Sequence, residues 1–296
     1  MNISEYFDKY RICYVKNFTT SRLSSIKVGG SAKYVLYPKC NEELIESIKL
    51  CIAFSEQYKI IGGCTNTFFS DEGFDGIIIC TKLLVEVEAS EHSIICNAGA
   101  SLASVLKKSA YTGLDIASGL YGIPGSVGGA VRNNAGAFGA SISEAFESGT
   151  FYDSESNKLL NLDNSDLYFS YRSSLLQKKN IVFLSGKFKC FRRKKEEIFK
   201  EFECTIQKRR ATQPNHPSLG SFFKRSGETV PSILIDQAGM KGMQIGGARV
   251  SEKHAGFIIN VGSATASDVN NLADKVEKEI FKKYGIHLIR EAELVN

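Results

Sequence analysis

The chain of 296 residues is long enough for two domains of about 150 residues each. Apolar residues make up 43% and charged residues 23%, which is ordinary for a globular protein and excludes a disordered, collagen-like or coiled-coil chain. The net charge is +5, and no apolar run approaches the roughly 20 residues of a membrane-spanning helix, so we expect no membrane insertion.

The first third of the chain alternates strand and helix patterns. Short β-prone runs lie at 33–37, 59–61, 76–81, 84–88 and 93–96. An apolar stripe preceded by Asn41 as its cap predicts a helix over 41–56. The last two runs are expected to pair antiparallel around a turn near 90–91. These patterns are typical of an α/β arrangement.

The rest of the chain adds longer elements. Helices are predicted over 101–110, 191–210 and 268–284, and strands over 145–152 and 181–191. The last helix is expected to start at a Ser267 cap and to stop at Gly285. Between the first of these helices and the strands, residues 113–140 form a long glycine-rich stretch. A loop of that length inside a compact domain is more often functional than structural.

Positive charge is concentrated between Lys187 and Arg210, a stretch that contains ten Lys or Arg and four Glu. Ile198, Phe202 and Ile206 recur at helical spacing in this stretch, which indicates an amphipathic helix with alternating charges on its solvated face. An anion site at the C-terminal end of the helix and a nucleic-acid face are the alternatives. We expect no nucleic-acid partner.

Eight cysteines are scattered without a CxxC pair or a Cys/His spacing typical of zinc. Several of them, such as Cys80 and Cys96, lie in apolar runs where a reduced cysteine packs as a small core residue. The acidic N-terminal segment lacks a signal-peptide pattern. We therefore expect a cytoplasmic protein without a disulfide framework and without a metal site.

Two glycine-rich segments are the main candidates for chemistry. Glycines at this density let backbone N–H groups approach an anion closely, and the spacing matches neither GxGxxG nor a Walker motif. The stronger segment contributes Gly122, Ile123, Pro124, Gly125, Ser126, Gly128, Gly129 and Ala130, followed by Asn134 and Gly136. The weaker segment, which comes first in the chain and follows a predicted strand, contributes Gly62, Gly63, Cys64, Thr65, Asn66 and Thr67. Two such segments in one domain predict one long ligand with a diphosphate in its middle.

At this point the sequence resembles the UDP-N-acetylenolpyruvoylglucosamine reductases, flavoenzymes of bacterial cell-wall precursor synthesis. The matching segments are VGGSA with Tyr37-Pro38, IGGCTN at 61–66, GIPGSVGGA at 122–130, YRSS at 171–174, GSFFK at 220–224, HAGF at 254–257 with Asn260, and Arg290-Glu291. They run through nearly the whole chain, and GIPGSVGGA and GSFFK in this order are specific. The number of residues between Arg172 and Ser221 is similar to that in the shorter type of the family, which lacks a tyrosine-bearing lid loop.

The resemblance implies an α+β fold in which separate domains bind the cofactor and the substrate. It implies a two-lobed FAD-binding domain of the vanillyl-alcohol-oxidase/p-cresol methylhydroxylase type over residues 1–190, with lobes of about 1–80 and 81–190. A C-terminal α+β substrate domain would then cover 191–296. FAD would be held without a covalent bond, NADPH would be the co-substrate, and the partner would be a sugar nucleotide. We favour a monomer.

The resemblance also implies a two-step reaction, in which NADPH reduces FAD and the flavin then reduces the vinyl group of the substrate. Arg172 is a fixed cation that can face a carboxylate or a developing enolate. Ser221 matches the proton donor of the family, and Glu291 matches a carboxyl that polarises the developing enol as an acid. Without the family, these three would be interpreted as a strand-end arginine, a turn serine and a surface carboxylate.

Four further residues are expected to meet the substrate: Tyr171, Arg209, Lys224 and His254. Two positions depart from the family. Cys64 stands where glycine is usual, so that a side chain enters the diphosphate turn, and Glu293 stands where arginine is common, which raises the question of how the last strand pairs.

Two other functions remain as alternatives. A flavin oxidase of the same fold would act on another small substrate, but the motifs around Ser221 serve protonation rather than oxygen chemistry. A non-catalytic binder of anions or nucleic acid would use the basic stretch over 187–210, and it would carry no flavin absorbance.

Overall fold

The computed structural model describes residues 2–296. Helices and strands are both abundant, as the α+β prediction requires. The helices are α1 (Ile3–Lys9), α2 (Asn41–Ala53), α3 (Leu102–Tyr111), α4 (Val127–Arg132), α5 (Ile142–Ala145), α6 (Lys195–Thr212), α7 (Pro231–Gln237) and α8 (Ala266–Tyr284). Within residues 2–296, no helix has the length and apolar character needed to cross a membrane.

The strands are mostly short. They are β1 (Cys13–Thr19), β2 (Ser31–Tyr37), β3 (Tyr58–Ile61), β4 (Thr67–Phe69), β5 (Phe74–Cys80), β6 (Val87–Ala89), β7 (Ser93–Asn97), β8 (Leu114–Asp115), β9 (Gly136–Ala137), β10 (Ala140–Ser141), β11 (Phe146–Asp153), β12 (Lys158–Asp163), β13 (Ile181–Lys189), β14 (Phe191–Arg192), β15 (Ser218–Ser221), β16 (Phe223–Lys224), β17 (Gln244–Ile245), β18 (Ala248–Val250), β19 (Phe257–Asn260), β20 (Ile289–Arg290) and β21 (Glu293–Val295).

The chain divides into two compact units. Unit 1 takes in the residues up to Lys16, then Tyr34–Gly63 and Gly76–Lys208. Unit 2 takes in Asn17–Lys33, Cys64–Asp75 and Arg209–Asn296. Packing therefore groups the chain differently from a cut at residue 190, because helix α6 buries Ile198 and Phe202 in the core of unit 1. The functional division into a cofactor domain and a substrate domain stays a prediction.

Unit 1 is built on a five-stranded sheet of order β12-β11-β13-β7-β6, whose strands all pair antiparallel. A second sheet has the order β1-β2-β5-β3, and β3 pairs parallel with β5. Parallel strands that are covered on both faces are continuously apolar, and β5 is buried at Ile77, Ile78 and Ile79. Strand β3 ends at the first glycine-rich segment, which places that segment at the edge of the sheet.

Unit 2 combines the sheet β15-β19-β18-β17 with the long helix α8. The stripe of α8 that includes Val269, Leu272 and Val276 is fully buried in the core of this unit. Two small pairings close the unit: β16 with β20, and β21 parallel with β4. They bring the end of the chain beside two segments that lie far from it in sequence.

Several predicted element boundaries are wrong. Helix α2 starts after Cys40, and Asn41 is its first residue rather than its cap. Helix α8 is capped by Thr265, two residues before Ser267, in a reciprocal capping box with Asp268. Its predicted stop at Gly285 is confirmed, at a positive φ of 68°.

The region around the basic stretch also differs from its prediction. Helix α6 begins at Lys195 rather than at residue 191, because Phe191 and Arg192 form the strand β14 and pair with β8. The strand β12 was not predicted, because its mostly exposed residues carry no clear apolar alternation.

Candidate functional site

The two glycine-rich segments meet inside unit 1. A Cβ atom added to Gly62 would lie 1.9 Å from Ser126 Oγ, and one added to Gly63 would lie 2.8 Å from Gly125 Cα. Real side chains do not reach such separations, so the contact requires glycine at both positions. The sequence predicted that these segments share a site, and the fold brings Gly62–Gly63 against Gly125–Ser126.

The second segment is not the open loop that its glycines indicated. Ser126 caps the short helix α4, and its Oγ accepts the N–H of Gly129 at 3.2 Å. The N–H groups of Val127 and Gly128 donate to Ala100 and Ala98 carbonyls, each at 2.9 Å. These N–H groups are therefore committed to protein acceptors and do not form a nest of free donors. Gly128 allows close packing, because a Cβ there would lie 3.0 Å from the Ala98 carbonyl oxygen.

A cavity of about 220 Å³ lies beside this contact, entirely within unit 1. Four of the predicted cofactor residues line it: Gly62, Ser126, Gly128 and Gly129. The other lining residues come mainly from β3, α4 and the start of β13: Tyr58, Lys59, Ile60, Ile61, Thr81, Ala98, Arg132, Ser154, Leu176, Lys179, Asn180, Ile181, Val182 and Phe183. Apolar walls with three cations suit a ligand that has a flat ring and a phosphate.

Sequence reasoning missed the three cations, Lys59, Arg132 and Lys179. Lys59 lies in a predicted strand next to the glycine turn, and this position in the sequence could have indicated that it lines the site. Lys179 precedes β13 by two residues, and nothing in the sequence places that turn opposite β3.

Arg172 lies at the far end of the second glycine segment. Its guanidinium donates to the Gly136 carbonyl at 2.8 Å, and it stands 5.2 Å from the ring centroid of Tyr171. Asn134 ties the same segment down by donating to the Ser170 carbonyl at 2.9 Å. The backbone of Arg172 has a φ of +54°, a left-handed conformation that is costly for a residue with a side chain. Unit 1 thus holds Asn134, Gly136, Tyr171 and Arg172 in one cluster.

Ser221 and Glu291 lie close together in unit 2. Ser221 pairs with Phe257 across β15 and β19, and it is exposed. The next residue, Phe222, accepts the N–H of Glu291 at 2.8 Å and donates its own N–H to the Gly256 carbonyl at 2.8 Å. The backbone of Phe222 therefore connects the serine turn with Glu291, which lies between β20 and β21, although the two are far apart in sequence.

Asn66 supports Glu291 from the other side. Its side-chain amide donates to the Glu291 carbonyl at 2.9 Å, and its own carbonyl accepts the N–H of Glu293 at 2.9 Å. Strand β21 then pairs in register with β4, with Glu293 opposite Thr67. The glutamate at 293 is thus compatible with a regular last strand. Asn66, predicted as a cofactor residue, holds the C-terminal strand in this structure.

Cys64 fits its turn although the family usually has glycine there. Its φ of +49° is the left-handed conformation that favours glycine. The thiol is buried and donates to the Thr67 carbonyl at 3.3 Å, so the side chain is turned back onto its own loop.

Lys224 and His254 flank the serine turn in unit 2. Lys224 pairs with Ile289, two residues before Glu291. His254 Nδ1 accepts the N–H of Gly256 at 3.2 Å, and the ring stands edge-on to Phe257. Burial lowers the pKa of His254, and the charges of Lys241 and Arg225 lower it further. A neutral imidazole with an occupied Nδ1 presents Nε2–H as a donor.

Arg209 lies in the last turn of α6, where it is half-buried. Burial lowers the pKa of its guanidinium. An arginine side chain nevertheless keeps its charge in proteins. The residue remains a cation at the junction that leads into unit 2.

Known proteins resemble this chain over both units. Residues 32–153 match a family described as FAD binding domain, and residues 213–295 match the C-terminal domain of UDP-N-acetylenolpyruvoylglucosamine reductase. The reductase of that name from Caldicellulosiruptor saccharolyticus is 36% identical, covering 100% of this chain and 96% of its own length. That from Caldanaerobacter subterraneus is 40% identical, covering 94% and 92%.

Solved structures extend the likeness to the fold. The crystal structure of the UDP-N-acetylenolpyruvylglucosamine reductase from Thermus caldophilus has a TM-score of 0.83 and 28% identity, covering 97% of this chain and 99% of that one. Berberine bridge enzyme from Eschscholzia californica has a TM-score of 0.52 and 13% identity over 66% of this chain and 44% of its own. The second likeness concerns the fold alone, and it agrees with the predicted vanillyl-alcohol-oxidase type of FAD-binding domain.

Proposed function

The chain belongs to the UDP-N-acetylenolpyruvoylglucosamine reductase family, and we propose that it reduces UDP-N-acetylglucosamine enolpyruvate to UDP-N-acetylmuramate. The reaction is a step in peptidoglycan precursor synthesis. The enzyme is a flavoprotein oxidoreductase with FAD as its cofactor and NADPH as its reductant. The main support for the proposal is that the two glycine segments meet at a cavity of unit 1. In unit 2, the residue after Ser221 is bound to the backbone of Glu291.

The residues of the cavity fit part of FAD. Its apolar walls at Ile181 and Val182 suit a flat ring, and Lys59, Arg132 and Lys179 suit phosphate oxygens. Gly62, Ser126, Gly128 and Gly129 would hold the cofactor by close approach. The other predicted FAD residues do not line this cavity and stay predictions: Gly63, Cys64, Thr65, Asn66, Thr67, Gly122, Ile123, Pro124, Gly125, Ala130, Asn134 and Gly136.

When bound, FAD would supply the redox chemistry, by accepting a hydride from NADPH and passing it to the terminal vinyl carbon of the substrate. The negative charge then develops on the carbon that bears the carboxylate and spreads into that carboxylate. Arg172 is proposed to stabilise this charge, because its guanidinium is already fixed by Gly136 and the Tyr171 ring. A cation that is preorganised in this way need not reorient as the charge appears.

Ser221 and Glu291 are proposed to complete the reaction. The Ser221 hydroxyl donates the proton to the charged carbon and regains one from water. A serine is a weak acid, so it works only toward a strongly basic centre such as this one. Glu291 is proposed to polarise the developing enol, and its backbone bond to Phe222 keeps it beside the serine turn.

Four residues are proposed to bind the substrate. Tyr171 and Lys224 adjoin Arg172 and Ser221 respectively, so they suit the enolpyruvyl end. Arg209 and the Nε2–H of His254 suit the anionic sugar-nucleotide part. The proposed partners are therefore small molecules. We propose a cytoplasmic location, since NADPH and UDP-sugars are cytoplasmic metabolites. We also propose that the protein is a monomer.

An anaerobic two-step titration tests the proposed function. NADPH should bleach the flavin of the purified protein, and the enolpyruvyl sugar nucleotide should then restore its visible absorbance. Failure of the second step, combined with rapid recolouring by oxygen, would instead support a flavin oxidase. A colourless protein that cannot be reconstituted with FAD would contradict both functions.

A further inference from the structure

Arg290, directly before Glu291, binds helix α8 with its whole guanidinium group. Its Nε and Nη2 donate to the two carboxylate oxygens of Glu277 at 2.6 and 3.1 Å, and its Nη1 donates to Asn270 Oδ1 at 2.7 Å. Nη2 also binds the carboxylate of Asp274. Although burial opposes it, the hydrogen bonds that Arg290 donates to Glu277 and Asp274 raise its pKa. All three partners lie on successive turns of one face of α8.

The segment that contains Glu291 is also bound through its backbone. Strand β20 consists of Ile289 and Arg290 alone and pairs with the equally short β16. Ile289 is 53% exposed, so its side chain contributes little burial. After the strand, Glu291 is fixed through its backbone by Phe222 and Asn66. The contacts of Arg290 with α8 add a charged side-chain anchor to these backbone bonds.

The anchor also constrains the backbone from which the Glu291 side chain projects. Glu291 directly follows Arg290 and lies between β20 and β21, outside both strands. A segment that lost the anchor could rotate or slip, and the carboxyl would move even while the fold of unit 2 remained.

We propose that Arg290 is a positioning residue for Glu291: by anchoring the strand to Asn270, Asp274 and Glu277, it fixes the carboxyl that polarises the enol. This inference rests on the proposed function. It assigns Arg290 no contact with the substrate, and its effect reaches the reaction only through Glu291. A displacement of about 1 Å of an acting group can lower a rate by about 100-fold.

Three variants test the proposal by stopped-flow absorbance of the flavin. Arg290→Gln removes the charge and most of the fork, Arg290→Lys keeps the charge, and Lys283→Gln is the matched control. Lys283 lies on α8 and donates to the backbone carbonyl of Gln237 at 2.9 Å, a bond that does not involve the segment around Glu291.

In Arg290→Gln, reoxidation of the reduced flavin by the enolpyruvyl substrate should slow by about 10- to 100-fold. Reduction by NADPH should stay within about twofold, and kcat should fall with little change in the KM for the sugar nucleotide, since Glu291 acts on developing charge. Arg290→Lys should recover part of the lost rate, because one charged donor still reaches the acids. Lys283→Gln should match the wild type in both steps.

A merely structural role predicts another pattern. In that case both half-reactions would slow together, and the loss would follow the melting temperatures of the variants. Equal slowing of both steps, or no slowing of reoxidation in Arg290→Gln, would overturn the proposal. If Arg290→Gln does not fold, Arg290→Lys carries the test by the same selective slowing of reoxidation. Wild-type protein that fails to reoxidise refutes the proposed function instead, so the two failures are distinguishable.

Discussion

Replacement of Gly62 by alanine tests whether the two glycine segments must touch. The added Cβ would lie 1.9 Å from Ser126 Oγ and 2.9 Å from Ser126 Cβ, so the serine has to move. Overpacking of this kind costs about 1–3 kcal/mol, and loss of the Ser126 cap on α4 costs about 1 kcal/mol more. We therefore expect Gly62→Ala to lose about 2–4 kcal/mol, a fall in Tm of roughly 4–16 °C.

Gly129→Ala is the matched control in the same region. A Cβ there would lie 3.4 Å from Ser126 Oγ, which is an ordinary contact, and the residue is inside helix α4. Alanine is favoured over glycine in a helix by up to about 1 kcal/mol. The FAD-free protein should therefore keep or gain stability. Both variants should bind FAD more weakly, because both positions line the cavity.

The double variant Gly62→Ala/Ser126→Gly isolates the contact. It removes the atoms that the new Cβ would strike, and glycine replaces a capping serine at a cost of only a few tenths of a kcal/mol. We expect it to recover about 1–3 kcal/mol relative to Gly62→Ala alone. The assay is thermal and urea unfolding of the FAD-free proteins. A Gly62→Ala variant as stable as the wild type, or no recovery in the double variant, would refute the packing argument.

Three further predictions concern the chemistry. Ser221→Ala should leave flavin reduction by NADPH within a few-fold of wild type and slow reoxidation by the substrate by about 100-fold or more, with partial recovery in Ser221→Cys, as measured by stopped-flow absorbance. Slowing of neither step would mean that the proton comes from elsewhere. Arg172→Lys should remain folded and yellow but lose much of the second half-reaction, because lysine lacks the planar fork with which Arg172, bound to the Gly136 carbonyl, is proposed to face the substrate carboxylate as well. A wild-type rate in that step would remove Arg172 from its role. Acid precipitation should release all flavin into the supernatant, and colour in the pellet would indicate a covalent bond.

Elements with strong periodicity were predictable from the sequence. The apolar stripe of α8 predicted a helix from 268 to 284, and the structure begins it only two residues earlier. The missed cap has a local cause, since Thr265 and Ser267 are both good capping residues and the choice depends on Asp268. Helix α4 was hidden because glycines at 128 and 129 lower its helical propensity.

Contacts between distant segments were not predictable from the residues alone. The approach of Gly62 to Ser126 depends on how β3 and α4 pack, and no local pattern encodes it. The same holds for Lys179 at the cavity and for Asn66 on the carbonyl of Glu291. The glycine segments were predicted from the residues and the family resemblance supplied Arg172, Ser221 and Glu291, whereas their supports, such as Arg290 on α8, follow from the structure.

The central claim is that this chain reduces an enolpyruvyl sugar nucleotide with NADPH. The most direct measurement is the stoichiometry of the complete reaction, with NADPH oxidation followed by absorbance and the product identified by mass spectrometry and NMR. The account predicts that NADPH oxidation depends on UDP-N-acetylglucosamine enolpyruvate and yields one UDP-N-acetylmuramate, heavier than the substrate by two hydrogens, per NADPH consumed. NADPH oxidation that instead yields hydrogen peroxide, with the enolpyruvyl group unchanged, would contradict it.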